Sequence, residues 1–196
     1  FIAEADKAGV GIAFVIDTHV HADHYSGGPE LARRVQAPYC LHESNRGRVS
    51  FAFNPLGDGQ RLEAGNVLVD VLHTPGHTPE HLVFIVTDTA RSEDPVAMVS
   101  GDFLFVGDVG RPDLLERAAH VVGTMEAGGR DLFRSLQRTA SLPDHLQIWP
   151  GHGAGSACGK ALGAMPSSTL GYERRTNWAF GIHDESAFVT SVLEGQ

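Results

Sequence analysis

The segment Thr18–His24, which reads T-H-V-H-A-D-H, constrains the fold of this chain more than any other stretch. It follows a short apolar run, residues 11–17, that predicts a buried strand. His19 and His21 are two positions apart, so both imidazoles lie on one side of an extended segment. Imidazole nitrogens and carboxylate oxygens are ligands for Zn, Fe and Mn. The sequence therefore predicts a fold that holds this segment at a strand end, beside a metal ion.

Three further segments place His or Asp in turns that Gly or Pro makes rigid. They read H-T-P-G-H-T-P-E-H at residues 73–81, S-G-D-F at 100–103 and P-G-H-G at 150–153. Each follows a predicted strand, and strand ends are where α/β proteins build their sites. The chain has 11 histidines, where average usage would give roughly four or five. A lone histidine is most often an ordinary loop residue, but the four segments together indicate a metal site.

Predicted strands and helices are interleaved along the chain, which indicates an α/β layered domain. We expect a single domain over residues 1–196. The predicted strands are residues 11–17, 37–41, 66–72, 81–87, 96–100 and 147–149; the predicted helices are 1–10, 29–36, 114–119, 126–140 and 184–193, with another inside 167–180; residues 45–59 are predicted to be irregular. Because the chain opens inside a predicted helix, we also expect it to be a fragment.

Charge and composition exclude several classes of function. The chain has 15 Lys and Arg against 24 Asp and Glu, a net charge of −9. It lacks the basic surface of a protein that binds nucleic acid or an anionic membrane. No stretch approaches the ~18 continuous apolar residues of a membrane span. Two cysteines are too few for a disulfide framework.

The H-x-H-x-D-H segment, followed by a His turn, an Asp and a later His, resembles the metallo-β-lactamase superfamily over nearly the whole chain. The resemblance implies an αββα sandwich with metals at one edge of two packed sheets. In that family's pattern, His19, His21 and His77 hold a first metal, Asp23, His24 and His152 hold a second, and Asp102 bridges the two. Several strands that normally precede the H-x-H segment are missing, so we expect the first sheet to lack its N-terminal strands.

Within that superfamily, the chain resembles the persulfide dioxygenases, especially bacterial ones fused to or partnered with rhodanese domains. The most specific segment is G-R-P-D-L at residues 110–114. The resemblance implies one Fe(II) per chain, held by His19, His77 and Asp102, with three open positions for a thiolate sulfur and O₂. The other ligand positions would then orient these three.

The expected reaction is oxidation of a low-molecular-weight thiol persulfide, such as glutathione persulfide, to sulfite and free thiol. Reduced iron and thiols, together with the lack of a disulfide pattern, favour the cytoplasm. A rhodanese domain or protein is the expected partner by analogy, and assembly as a homo-oligomer is left open.

Two alternatives remain at this point. Because all seven ligand positions are filled, the sequence also permits two Zn(II) ions. Such a site would hydrolyse a thioester, as a hydroxyacylglutathione hydrolase does, or a lactam. The other alternative is a metal-binding fragment without catalysis.

Arg111, Asp113 and Tyr172 are the predicted substrate contacts. An Arg can clamp a carboxylate through two hydrogen bonds, although Arg111 and Asp113 would serve equally as a structural pair that fixes their loop. Tyr172 is the candidate to replace a tyrosine that animal persulfide dioxygenases carry soon after the histidine matching His152, although its sequence context favours a solvated helix face. Cys158, in a Gly-rich loop, is predicted to be a small packed residue rather than a reactive thiol.

Overall fold

The structure is a computed structural model that describes residues 1–21, 24–113, 116, 123–156 and 164–194. Its helices are α1 (Ile2–Ala8), α2 (Gly28–Val35), α3 (Thr124–Arg138), α4 (Leu170–Thr176) and α5 (Glu185–Leu193), with short 3-10 helices at Glu43–Asn45, Thr139–Ser141 and Trp178–Gly181. Its strands are β1 (Val15–Ile16), β2 (Tyr39–His42), β3 (Asn54–Leu56), β4 (Arg61–Ala64), β5 (Val67–His73), β6 (Leu82–Asp88), β7 (Ala97–Gly101), β8 (Gln147–Pro150) and β9 (Ser168–Thr169).

The strands form two sheets. Sheet A is parallel and has the order β1-β2-β3. Sheet B has the order β4-β5-β6-β7-β8-β9, and its strands are antiparallel except for the parallel pair β7 and β8.

Sheet B is buried on both faces because its central strand, β6, is apolar at successive positions. Leu82 and Phe84 pack towards sheet A, in one cluster with Cys40 of β2. Val83 and Ile85 point the other way, into a cluster that includes residues of α3 and α5. Helix α2 covers the outer face of sheet A. The layers are therefore helix, sheet, sheet and helix, which confirms the predicted αββα sandwich.

The sequence analysis did not predict three of the strands, β3, β4 and β9. β3 contains Pro55, which argues against a strand, but β3 lies at the edge of sheet A, where the missing N–H of proline is tolerated. β4 carries charged residues on its exposed face and pairs with β5 at the edge of sheet B. β9 has only two residues. The predicted irregular segment 45–59 is wrong at β3, and the predicted strand 11–17 shortens to β1.

The predicted helix 126–140 corresponds to α3, which begins two residues earlier. The predicted helix 114–119 lies outside the described residues, apart from residue 116. Within the described ranges, no helix combines the length and the apolar character that crossing a membrane requires.

Candidate metal centre

Three loops that follow strand ends meet at one edge of the sandwich. His19 follows β1, His77 lies in the turn between β5 and β6, and Asp102 follows β7. Their exposed fractions are 2%, 3% and 1%. One ligand atom from each lies within 4.8 Å of the others, and Nε2 of His77 is 3.5 Å from Oδ2 of Asp102. The structure thus brings together the three residues predicted to hold the metal.

The hydrogen bonds of the two imidazoles determine which nitrogens are available. Nδ1 of His77 donates to the backbone carbonyl of Arg111 over 3.0 Å. A carbonyl only accepts, so Nδ1 carries the proton and Nε2 offers a lone pair towards Asp102. Nδ1 of His19 lies 2.9 Å from Oγ1 of Thr18. Partners of this kind orient the ring of a metal-ligating histidine.

Burial controls the protonation of these rings. Desolvation lowers the pKa of His19, and the nearby imidazoles of His81 and His77 lower it further. Desolvation also lowers the pKa of His77, while the carboxylate of Asp102 acts in the opposite direction. Both shifts favour the neutral imidazole, which is the form that binds a metal.

The carboxylate of Asp102 supplies an observation that favours a cation. Its Oδ1 is buried, and no donor in the described part of the chain reaches it. A Cβ added to Gly151 would lie 2.5 Å from this oxygen, so the backbone packs closely against it. A buried carboxylate oxygen without a hydrogen bond is costly unless a cation compensates it. Two neutral imidazoles and this carboxylate fit a divalent transition metal.

The remaining predicted ligands lie around these three. Nε2 of His152 is 3.2 Å from Oδ2 of Asp102. The ring of His21 is 4.2 Å from that of His19, between centroids, and the ring of His24 is 4.1 Å from that of His21. Asp23 lies outside the described residues. Three of the four remaining predicted ligands therefore lie near the first three.

The predicted substrate contacts are in different places. Nε and Nη2 of Arg111 donate to the carboxylate of the fully buried Asp113 over 2.7 and 2.5 Å. This is the structural pair that the sequence allowed as an alternative to a clamp. Tyr172 is exposed and lines a groove of about 570 Å³ with Val106 and Gln147. Cys158 lies outside the described residues.

His81 is a site residue that the sequence indicates only as a flank of the His turn, able to donate to a ligand but not predicted to bind the metal. It is fully buried, and its Nε2 accepts a hydrogen bond from the backbone N–H of Asp102 over 3.0 Å. Its position at the end of the His turn was the available signal, but the spacing does not show which loop it contacts.

Comparison with known proteins finds similarity to curated hydrolases. No family model matches it. It is 34% identical over 153 residues to a hydroxyacylglutathione hydrolase from Synechococcus sp. strain WH7803, covering 77% of this chain and 55% of that protein. The chain thus spans about half the length of this curated relative.

Solved structures give the same fold. A metallo-beta-lactamase from Staphylococcus aureus subsp. aureus COL matches with a TM-score of 0.89 and 41% identity, over 100% of this chain and 56% of that one. TTHA1623 in a di-iron-bound form matches with a TM-score of 0.62 and 30% identity, over 90% and 81%. ETHE1 from Myxococcus xanthus, with a TM-score of 0.77, 24% identity and coverage of 98% and 73%, supports the fold alone.

The predicted oxidation of a thiol persulfide is wrong, because the curated relatives are named hydroxyacylglutathione hydrolase. That prediction depended mainly on the G-R-P-D-L segment. In the structure this segment supplies the Arg111–Asp113 pair and the carbonyl that orients His77. Those roles support a metal ligand and do not select a reaction, so the segment did not distinguish a dioxygenase from a hydrolase.

Three observations agree with one another. They are the layered architecture, the His and Asp residues at one edge of the sheets, and the similarity to curated hydrolases and to a solved metallo-beta-lactamase. The chain belongs to the metallo-β-lactamase superfamily.

Proposed function

We propose that this chain is the metal-binding domain of a hydrolase that cleaves a hydroxyacyl thioester of glutathione. The convergence of His19, His77 and Asp102 in a buried group carries the proposal. The identity with hydroxyacylglutathione hydrolases supports the choice of substrate class.

In this proposal the three residues hold one divalent metal, with zinc as the candidate. A bound metal of this kind supplies Lewis acidity, which polarises a carbonyl and makes a nucleophile from water near neutral pH. His21, His24, His152 and Asp23 are the candidates for holding a second ion.

The chain's own residues contribute orientation and burial. The carbonyl of Arg111 fixes the ring of His77, and the Arg111–Asp113 pair fixes the loop that carries this carbonyl. His152, whose side chain is 21% exposed, lies on the more open side of Asp102. We expect a thioester to approach past His152, because His19 and His77 are buried.

The test measures the hydrolysis of a hydroxyacylglutathione by the purified chain, from the loss of thioester absorbance, after loading with zinc. We expect turnover that disappears when the metal is chelated and returns when zinc is added. Asp102→Asn should abolish it. Asp70→Asn is the matched control, since Asp70 pairs with Arg61 on the surface of sheet B.

Two results would overturn the proposal. One is zinc-loaded protein that leaves the thioester intact but opens a lactam. The other is an iron-loaded protein that consumes O₂ with glutathione persulfide and has no thioesterase activity.

A further inference from the structure

We propose that Glu80 and His81 are positioning residues that fasten the three metal-bearing loops to one another. The inference rests on the metal centre proposed above and not on the reaction carried out there. Neither side chain is one of the predicted ligands. Both belong to the turn that carries His77, and each reaches into one of the other two loops.

Glu80 fixes the loop that carries His19. Its buried carboxylate accepts a hydrogen bond from the backbone N–H of Val20, with 3.2 Å between Oε1 and N. Two residues along the chain, the backbone N–H of Leu82 donates to the carbonyl of Thr18 over 2.7 Å. Thr18 and Val20 flank His19, so the peptide groups on both sides of this histidine are held by residues 80–82. The direction of the His19 side chain follows from these two bonds.

His81 fixes the loop that carries Asp102. The backbone N–H of Asp102 donates to Nε2 of His81 over 3.0 Å. An amide N–H only donates, so Nε2 is unprotonated and the ring proton is on Nδ1, which lies 3.0 Å from Oγ1 of the buried Thr74. Burial, followed by the nearby imidazoles of His77 and His21, holds the pKa of His81 well below its usual range, in agreement with a neutral ring.

Both ring nitrogens of His81 are thus engaged by the protein, which leaves neither to bind a metal. The ring also stacks on that of His19, with centroids 5.0 Å apart and planes 26° from parallel. Gly101 allows this approach, since its φ is +51° and a Cβ there would lie 2.8 Å from Nε2 of His81. His81 therefore contacts the loops of His19 and Asp102 at the same time.

The expected consequence is a loss of metal affinity without loss of a ligand. Residues that orient ligands from outside typically contribute roughly 10–100-fold to metal affinity. A metal site that loses the hydrogen bonds around its ligands keeps its donor atoms, but their positions and directions are less accurately fixed.

The test is titration of the metal-free chain with Co(II), read from the visible absorption that reports ligand geometry. Glu80→Ala and His81→Phe should each weaken Co(II) binding by about 10–100-fold and change the spectrum. His81→Phe keeps a ring to stack on His19 but removes the acceptor. Glu80→Gln keeps an oxygen that accepts from Val20, and we expect it to restore the wild-type spectrum and affinity.

Asn45→Ala is the matched control. Asn45 is buried in the region of sheet A, where its Nδ2 donates to the carbonyl of His42 over 3.2 Å. Its loss should lower thermal stability but leave the Co(II) spectrum and affinity unchanged, so a general loss of stability can be separated from a change at the site.

If His81→Phe does not fold, Thr74→Val takes its place. Valine is nearly isosteric and cannot accept the Nδ1 proton, so the ring of His81 loses the contact that orients its Nε2 towards the N–H of Asp102. Wild-type affinity and spectrum in Glu80→Ala and in the His81 or Thr74 variant would overturn the inference. Equal weakening in Glu80→Gln and Glu80→Ala would also overturn it for Glu80, because charge rather than position would then matter. A wild-type chain that binds no Co(II) would refute the metal centre itself.

Discussion

Replacing Gly76 with alanine tests how closely the His77 turn packs on helix α3. Gly76 has a φ of +151°, which L-residues rarely adopt, and a Cβ there would lie 2.6 Å from Cβ and 2.7 Å from Cα of Leu132. The backbone of α3 cannot move easily, because Ser135, one turn further on, donates a hydrogen bond to the carbonyl of Pro75 over 2.8 Å. The turn must therefore shift, and His77 with it.

The expected loss of stability has two parts. A strained backbone conformation costs about 1–3 kcal/mol, and an extra methyl group in a packed region costs about 1–3 kcal/mol. Gly76→Ala should therefore lower the free energy of unfolding by about 2–6 kcal/mol. For a chain of this size, roughly 2–4 °C of Tm per kcal/mol predicts a fall of about 4–24 °C.

Thermal unfolding followed by circular dichroism, on protein stripped of metal, measures this loss without a contribution from metal binding. Gly123→Ala is the control, because Gly123 also has a positive φ, +84°, but a Cβ there would meet nothing within 4 Å. We expect it to cost only the strain of a left-handed residue, about 1–2 kcal/mol. A Tm for Gly76→Ala at or above that of Gly123→Ala would refute the packing argument.

Three further predictions concern metal, acid and thiol chemistry. Zinc at 100 times its Kd should raise the free energy of unfolding by about 2.7 kcal/mol, or roughly 5–11 °C of Tm, and should leave the Tm of Asp102→Asn unchanged in a thermal scan. Burial raises the pKa of Asp58, but hydrogen bonds from a backbone N–H and from Arg138 outweigh it, so the folded pKa lies below the unfolded one. The stability that Asp58 contributes is therefore present at neutral pH and is lost as pH falls below about 4. In urea unfolding, the free energy of unfolding of Asp58→Asn should fall less on acidification than that of the wild type. An equal fall in both proteins would contradict this role. Cys40 is buried, and burial raises the pKa of its thiol. In a Cys158→Ala background, an aromatic disulfide reagent should therefore react with Cys40 only as fast as the chain unfolds. Rapid reaction with the native protein would contradict the burial of Cys40.

The sequence predicted that the side chains of His19, His77 and Asp102 lie together, because the signal of each residue is local. His19, His77 and Asp102 each follow an apolar strand, and strand ends on one edge of a sandwich come together whatever the details of the loops. The αββα layers were predicted from the resemblance to the superfamily, and the structure supplies the physical reason, since the apolar run of β6 requires cover on both faces.

The supporting residues were not predictable because their signal is not local. Glu80 and His81 act on the N–H groups of Val20 and Asp102, which are distant in the chain, and no spacing reveals such pairs. The role of Arg111 was ambiguous because its partner, Asp113, is compatible with either a clamp or a structural pair. The choice of reaction also failed, since the same donors can serve different chemistry.

The donors come from opposite halves of the sandwich: the loop of His19 leaves sheet A, whereas His77 and Asp102 extend from sheet B. Neither half supplies all three of these donors by itself. Complete coordination of the ion therefore requires both halves to be assembled, and a fluctuation that parts them weakens its binding. The dissociation rate of the ion should consequently approach the rate of that opening motion. Metal exchange would then measure how often the native state opens between its two sheets.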